Sequence, residues 1–195
     1  PRPETEILVE KIIKIVDREY EGSRPCLLDI GTGCGNIAIS LTKLRNFSKI
    51  KACDISKRAI ALALRNKDLN GAGKAVEFCI SNVYNNLAKY RNSFDFIVSN
   101  PPYLAISAFK HLQKELNFEP RRALCGGVSG INYYRRIIKD APLFIKKRGG
   151  YLIMEIGFDQ ADSIRGLLNK ISANCEVIKD YSGFDRVIVA RIIVK

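Results

Sequence analysis

Apolar positions along this chain follow two periods. Residues 4–19 place Leu8, Ile12, Ile15 and Val16 near helical spacing, which predicts an amphipathic helix. "CLLDI" (26–30) is a short continuous apolar run, the mark of a buried strand, and residues 36–45 then read as a helix. "KIKACDI" (49–55) predicts the next strand, and residues 56–70 a helix with Ser56 as its N-cap. Further strands are predicted at 75–80, 94–99 and 149–156, and further helices at 131–147 and 159–171. Residues 175–181 and 186–194 read as two strands joined by a short "SGFD" loop, hence a hairpin. Residues 104–130 break the pattern: they are polar and irregular, about the length of a functional insertion or lid.

Strands alternating with helices predict a parallel sheet covered on both faces. The expected fold is α/β and Rossmann-like, with a mostly parallel seven-stranded sheet and a C-terminal antiparallel hairpin. No repeat, low-complexity tract or linker interrupts it, so residues 1–195 are expected to form one domain.

Composition narrows the class. No apolar run approaches the ~18 residues a bilayer span needs, and no signal peptide is evident. The six cysteines are scattered without a C-x-x-C pair, and His111 is the one histidine. That argues against a metal site or a disulfide framework, and for a reduced, cytoplasmic protein. The formal charge of +12 suits a nucleic-acid or ribosome-associated partner. It equally suits a lysine-rich surface, because the basic residues are spread along the chain. Charge alone therefore selects no partner, and nucleic acid is not required as one.

Two motifs carry chemistry. "LLDIGTGCG" sets Gly31, Gly33 and Gly35 directly after the first strand, with Thr32 and Cys34 between them. Glycines there allow a tight turn and a close ligand approach. The spacing is G-x-G-x-G, because Asn36 stands where a dinucleotide fingerprint needs a third-step glycine. Asp54 ends the second strand, where a carboxylate can accept from both hydroxyls of a ribose. Together with Asp29 the set looks like the S-adenosylmethionine site of Rossmann-like methyltransferases. No Walker-type lysine is present, so ATP is not expected.

The second motif is "SNPPY" (99–103), leaving the fourth strand. Proline fixes its own φ and restricts the residue before it, so this exit is stiff. In a doubly wound sheet, strands one and four are neighbours, and the two motifs share one crevice. That suits methyl transfer to a planar nitrogen. The Asn100 side-chain oxygen and the Pro101 carbonyl can each accept an N–H of the target, and Tyr103 can stack on the flat group. No strong general base is offered, and His111 is not expected to be catalytic.

With these segments the chain closely resembles the HemK-type methyltransferases, which modify the glutamine of the Gly-Gly-Gln motif in peptide-chain release factors. "PRPETE" (1–6), "LLDIGTGCGNIAISL", "FDFIVSNPPY", "NFEPRRAL" (117–124) and "KDYSGFDRVIVAR" (179–191) carry the likeness. The resemblance implies S-adenosylmethionine at Gly31 to Gly35, Asp54, Ile55, Asn82, Val83 and Asn100, leaving as S-adenosylhomocysteine. It implies the glutamine amide at Asn100, Pro101, Pro102 and Tyr103, with Asn100, Pro101 and Tyr103 catalytic. It also implies a release factor as partner, no membrane role, and a helical N-terminal substrate-binding domain that this stretch lacks. Two positions depart from the family pattern: Asn82 replaces the usual acidic residue, and Cys34 a commoner small one. Three other readings share the motifs: an adenine-N6 methyltransferase of DNA or RNA, a ribosomal-protein glutamine methyltransferase, and a non-catalytic binding module.

Overall fold

The computed structural model describes residues 3–111 and 120–194. A seven-stranded sheet carries the chain, in the order β3-β2-β1-β4-β5-β7-β6. Its strands are β1 (Cys26–Ile30), β2 (Lys49–Asp54), β3 (Val76–Ile80), β4 (Phe96–Ser99), β5 (Gly150–Glu155), β6 (Asn174–Lys179) and β7 (Asp185–Ile192). The first five pair in parallel, and β7 runs antiparallel to both β5 and β6. The helices are α1 (Pro3–Glu19), α2 (Asn36–Leu44), α3 (Lys57–Leu69), α4 (Arg121–Leu124), α5 (Asn132–Phe144) and α6 (Ala161–Asn169). Ser56 caps α3 as expected, its Oγ accepting from the Ala59 N–H.

Successive strand residues point to opposite faces, and each face has its own core. Leu27, Phe96, Val98 and Ile153 pack under Leu8, Ile12 and Ile15 of α1 and Ile37 and Leu41 of α2. Leu28, Ile97, Leu152 and Met154 pack on the other face against Tyr134, Ile137 and Ile138 of α5 and Ile164 and Leu168 of α6. The central strands are buried on both faces, which is why they read as continuous apolar runs rather than alternating ones.

Three expected boundaries shift for physical reasons. β4 begins at Phe96, because Phe94 makes only an isolated bridge to Ile145. The same bridge ends α5 at Phe144, since Ile145 has turned extended. The 104–130 segment is not irregular throughout. Ile106–His111 forms a 3-10 helix, α4 follows, and Leu104 bridges to Cys125. Residues 112–119, and with them the start of "NFEPRRAL", lie outside the described residues. Among the described residues, no helix is long and apolar enough to cross a membrane, and no acidic, histidine or cysteine cluster could hold a metal ion.

The end of the sheet opposite the strand C-termini is tied by Asp95, whose side chain is fully buried. Its carboxylate accepts from the Cys26 N–H at 2.8 Å, Lys146 at 2.6 Å and Arg148 at 2.6 Å. Burial alone would raise its pKa, but Arg148, the Cys26 N–H and Lys146 outweigh it and hold the group below its ordinary value. Stability from Asp95 is therefore present above pH ~4 and lost as pH falls below it. Asp95→Asn should destabilise the fold at pH 7 by about 2–3 kcal/mol, the two cations remaining partly solvated. The deficit should shrink toward pH 3; urea titrations at both values check it, and an equal deficit would refute the assignment.

Candidate active site

β1, β2 and β4 end side by side at the point where the strand order reverses. Ile30 and Ser99 are register partners, and the Ser99 hydroxyl donates to the Ile30 carbonyl at 2.7 Å. Gly31 and Asn100 therefore leave the sheet from adjacent positions, and the two motifs border one crevice.

The glycine loop is held by hydrogen bonds along its length. The Gly31 and Thr32 N–H groups donate to the Cys53 carbonyl, and Gly35 N–H to Thr32. Gly33 N–H donates to Asp54 Oδ2 at 2.9 Å, and the Cys34 carbonyl accepts from Asn66 at 2.9 Å. The other oxygen of Asp54 accepts from Ser56 N–H at 2.8 Å. Each carboxylate oxygen keeps a second lone pair, so Asp54 can position the loop and still accept from a ribose.

The glycines differ in purpose. Gly33 has φ +58°, and an added Cβ would meet nothing within 4 Å: the space beside it is open. Gly35, at φ +87°, would drive a Cβ to 3.0 Å from both Ile39 and Phe78. One glycine keeps room for a ligand, whereas the other lets α2 pack on the sheet. An open, positive-φ loop facing a ribose-competent carboxylate fits S-adenosylmethionine. The expected adenine end is less regular. Ile55 is partly exposed, and Asn82 Oδ1 accepts from Arg136 of α5 at 2.8 Å. Val83 is buried at φ +56°, a strained conformation for a β-branched residue, and its carbonyl accepts from the Ser81 hydroxyl at 2.9 Å.

Asp29 lies fully buried under the loop. Its Oδ2 accepts from the Thr32 hydroxyl at 2.6 Å, and its Oδ1 has no partner among the described residues. Burial chiefly, with the nearby Asp54 charge adding and Thr32 opposing, pushes its pKa up to about 7.

Across the crevice, Asn100 is half-buried and Pro101 buried. Asn100 Nδ2 donates to Glu155 Oε2 at 2.8 Å and to Thr5 Oγ1 at 3.2 Å, and Thr5 Oγ1 itself donates to Glu155 Oε2 at 2.8 Å. The Tyr103 carbonyl accepts from Gln160 at 2.9 Å, and Gln160 also receives the Gly157 N–H. The turn at Gly126 and Gly130 backs the motif so closely that a Cβ there would strike the Pro102 and Tyr103 carbonyls. The Tyr103 ring is partly buried against the α5–α6 core. His111 ends the 3-10 helix.

The structure thus brings together Gly31 to Gly35, Asp54, Asn100 and Pro101. Thr5, Glu155, Gln160 and Arg136 are the residues that sequence reasoning missed. One signal was available for Glu155: a lone carboxylate within the apolar run "YLIMEI" must find buried partners.

Fold and crevice define the class, that of the Rossmann-like class I S-adenosylmethionine-dependent methyltransferases. The chain belongs to the methyltransferase small domain family, whose model matches residues 4–127. It is 40% identical to the release factor glutamine methyltransferase of Fusobacterium nucleatum, over 100% of this chain and 54% of that protein. It is 37% identical to that of Thermodesulfovibrio yellowstonii, over 97% and 67%. The chain thus spans about half to two thirds of the length of these curated relatives. A solved protein-(glutamine-N5) methyltransferase (release factor-specific) from Alicyclobacillus acidocaldarius superposes with TM-score 0.58 at 24% identity, covering 99% of this chain and 94% of that one.

Two predictions follow from the loop. Gly33→Ala should cost about 1 kcal/mol of stability but weaken S-adenosylmethionine binding tenfold or more, by calorimetry. Gly35→Ala should cost about 2–3 kcal/mol, from strain plus overpacking; equal effects of the two on folding would refute the division. The second concerns Asp29. Unfolded, it ionises near 3.8; folded, it keeps its proton to about 7. Its contribution is full below pH ~4 and lost as pH rises toward ~7. Asp29→Asn should therefore gain stability relative to the parent across that window, by at most about 4 kcal/mol. Urea unfolding at pH 4.5 and 8 measures the difference, and no change between the two would exclude it.

Proposed function

We propose that this chain is the catalytic domain of a protein-(glutamine-N5) methyltransferase, acting in the cytoplasm on the Gly-Gly-Gln glutamine of peptide-chain release factors. The observation that carries the reaction is the orientation of Asn100. With its Nδ2 turned inward to Glu155 and Thr5, its oxygen is the atom left to receive an N–H from an acceptor. The release factor is favoured by the length and level of identity to curated relatives bearing that name.

In this reading Gly31 to Gly35 and Asp54 hold S-adenosylmethionine, with Ile55, Asn82 and Val83 along its adenine. That cofactor, once bound, supplies an electrophilic methyl group. Asn100 Oδ1 accepts one N–H of the glutamine amide. The Pro101 carbonyl, which has no partner among the described residues, accepts the other. Tyr103, held through its carbonyl by Gln160, borders the amide plane. A delocalised amide nitrogen is a weak nucleophile, so fixing its direction and drawing on both N–H bonds is the main contribution available to these residues. The nitrogen gains the methyl group and releases one proton to water, so no side-chain base is needed.

The test is mass spectrometry of a release factor incubated with the protein and S-adenosylmethionine. One added methyl, about 14 Da by its CH₂ composition, is expected on the Gly-Gly-Gln glutamine. Asn100→Ala should reduce turnover at least a hundredfold while changing cofactor affinity less than threefold. Modification of adenine in added DNA or RNA, with the release factor untouched, would overturn the assignment.

A further inference from the structure

We propose that Thr5 and Glu155 are positioning residues that lock the orientation of the Asn100 amide, so that Oδ1 is presented to the substrate as an acceptor. The inference rests on the acceptor reading above and assigns a role to two residues outside the cofactor loop and the Asn-Pro-Pro-Tyr motif.

An asparagine amide ends in one acceptor and one double donor of nearly the same shape, so packing alone does not choose between its two orientations. Here the chemistry of its neighbours chooses. Glu155 Oε2 lies 2.8 Å from Asn100 Nδ2 and lacks a hydrogen when ionised. A flipped amide would set Oδ1 against that oxygen, acceptor facing acceptor. Thr5 completes the lock from beside Glu155. Its hydroxyl donates to Glu155 at 2.8 Å, so its lone pairs are left to face Asn100 Nδ2 at 3.2 Å. Two mutually bonded acceptors thus face Asn100 Nδ2 from one side. Glu155 and Thr5 are 1% and 6% exposed, so water does not compete for these bonds.

The consequence is specificity for the chemical type of acceptor. With Nδ2 held by Glu155 and Thr5, Asn100 offers Oδ1 to the crevice as an acceptor. An acceptor that brings an N–H, such as a carboxamide, satisfies it. A carboxylate of the same shape brings only lone pairs and is repelled. The lock also makes the crevice depend on α1, because Thr5 lies 95 residues before Asn100 and reaches it only when that helix is docked.

The experiment compares Thr5→Val, which keeps the shape and removes the hydroxyl, with Thr5→Ser, which keeps the hydroxyl. Steady-state kinetics with a release factor should show kcat falling about tenfold in the valine variant and recovering to within threefold in the serine variant, at unchanged S-adenosylmethionine affinity. Independently of any acceptor, nuclear magnetic resonance of ¹⁵N-labelled protein should show slowed exchange of the Asn100 side-chain amide proton aimed at Glu155 and Thr5. That exchange should speed up about tenfold in Thr5→Val and stay slow in Thr5→Ser. Equal kcat and equal exchange in parent and Thr5→Val would overturn the lock, as would a serine variant as impaired as valine. Slow exchange in a parent that methylates no release factor would instead sustain the lock and refute the proposed acceptor.

Discussion

The parallel pairing of β1 with β4 is the constraint on which this molecule depends. It is the step at which chain order and strand order part. Leu27 to Ile30 run in register with Phe96 to Ser99, and the Ser99 hydroxyl closes the pairing at its C-terminal end. Slipping that register by one residue would turn Leu28 and Ile97 toward the wrong core and separate Gly31 from Asn100. The two-sided packing that holds the register also holds the crevice.

α1 is the second tie. Its apolar stripe seats it on one face of the sheet, and polar contacts fix both its ends. Thr5 reaches Asn100 and Glu155 at the crevice. Glu19 accepts from Tyr151 and Arg191 at 2.6 Å each at the other end, and its pKa falls to about 2 because these and Arg18 outweigh its desolvation. A helix pinned this way cannot slide along its axis, so Thr5 keeps its place.

Three buried carboxyl groups show how environment sets their use. Asp95 faces two cations and an N–H and stays ionised as a structural tie. Asp29 faces one hydroxyl, its Oδ1 has no partner among the described residues, and burial holds its proton toward neutral pH. Glu155 accepts from Thr5 and Asn100, and these bonds set the orientation of the Asn100 amide. Cationic partners hold Asp95 ionised, whereas burial against a single hydroxyl raises the pKa of Asp29.

The sequence by itself determined the element order, the two-sided burial of the central strands and the hairpin at the end. Periodicity and capping are local, and each strand's apolar run already states that both of its faces are covered. It also brought out Gly31 to Gly35, Asp54 and Asn100 to Tyr103, because glycines and prolines announce backbone constraints that only those residues meet. Only the tertiary structure decided where β4 and α5 stop, since the Phe94–Ile145 bridge joins segments some fifty residues apart. It also turned part of the expected lid into helix and placed Arg136 on Asn82. Above all it decided which way Asn100 points. That direction comes from hydrogen bonds to Thr5 and Glu155, 95 and 55 residues away, and no local pattern encodes partners brought together by the sheet.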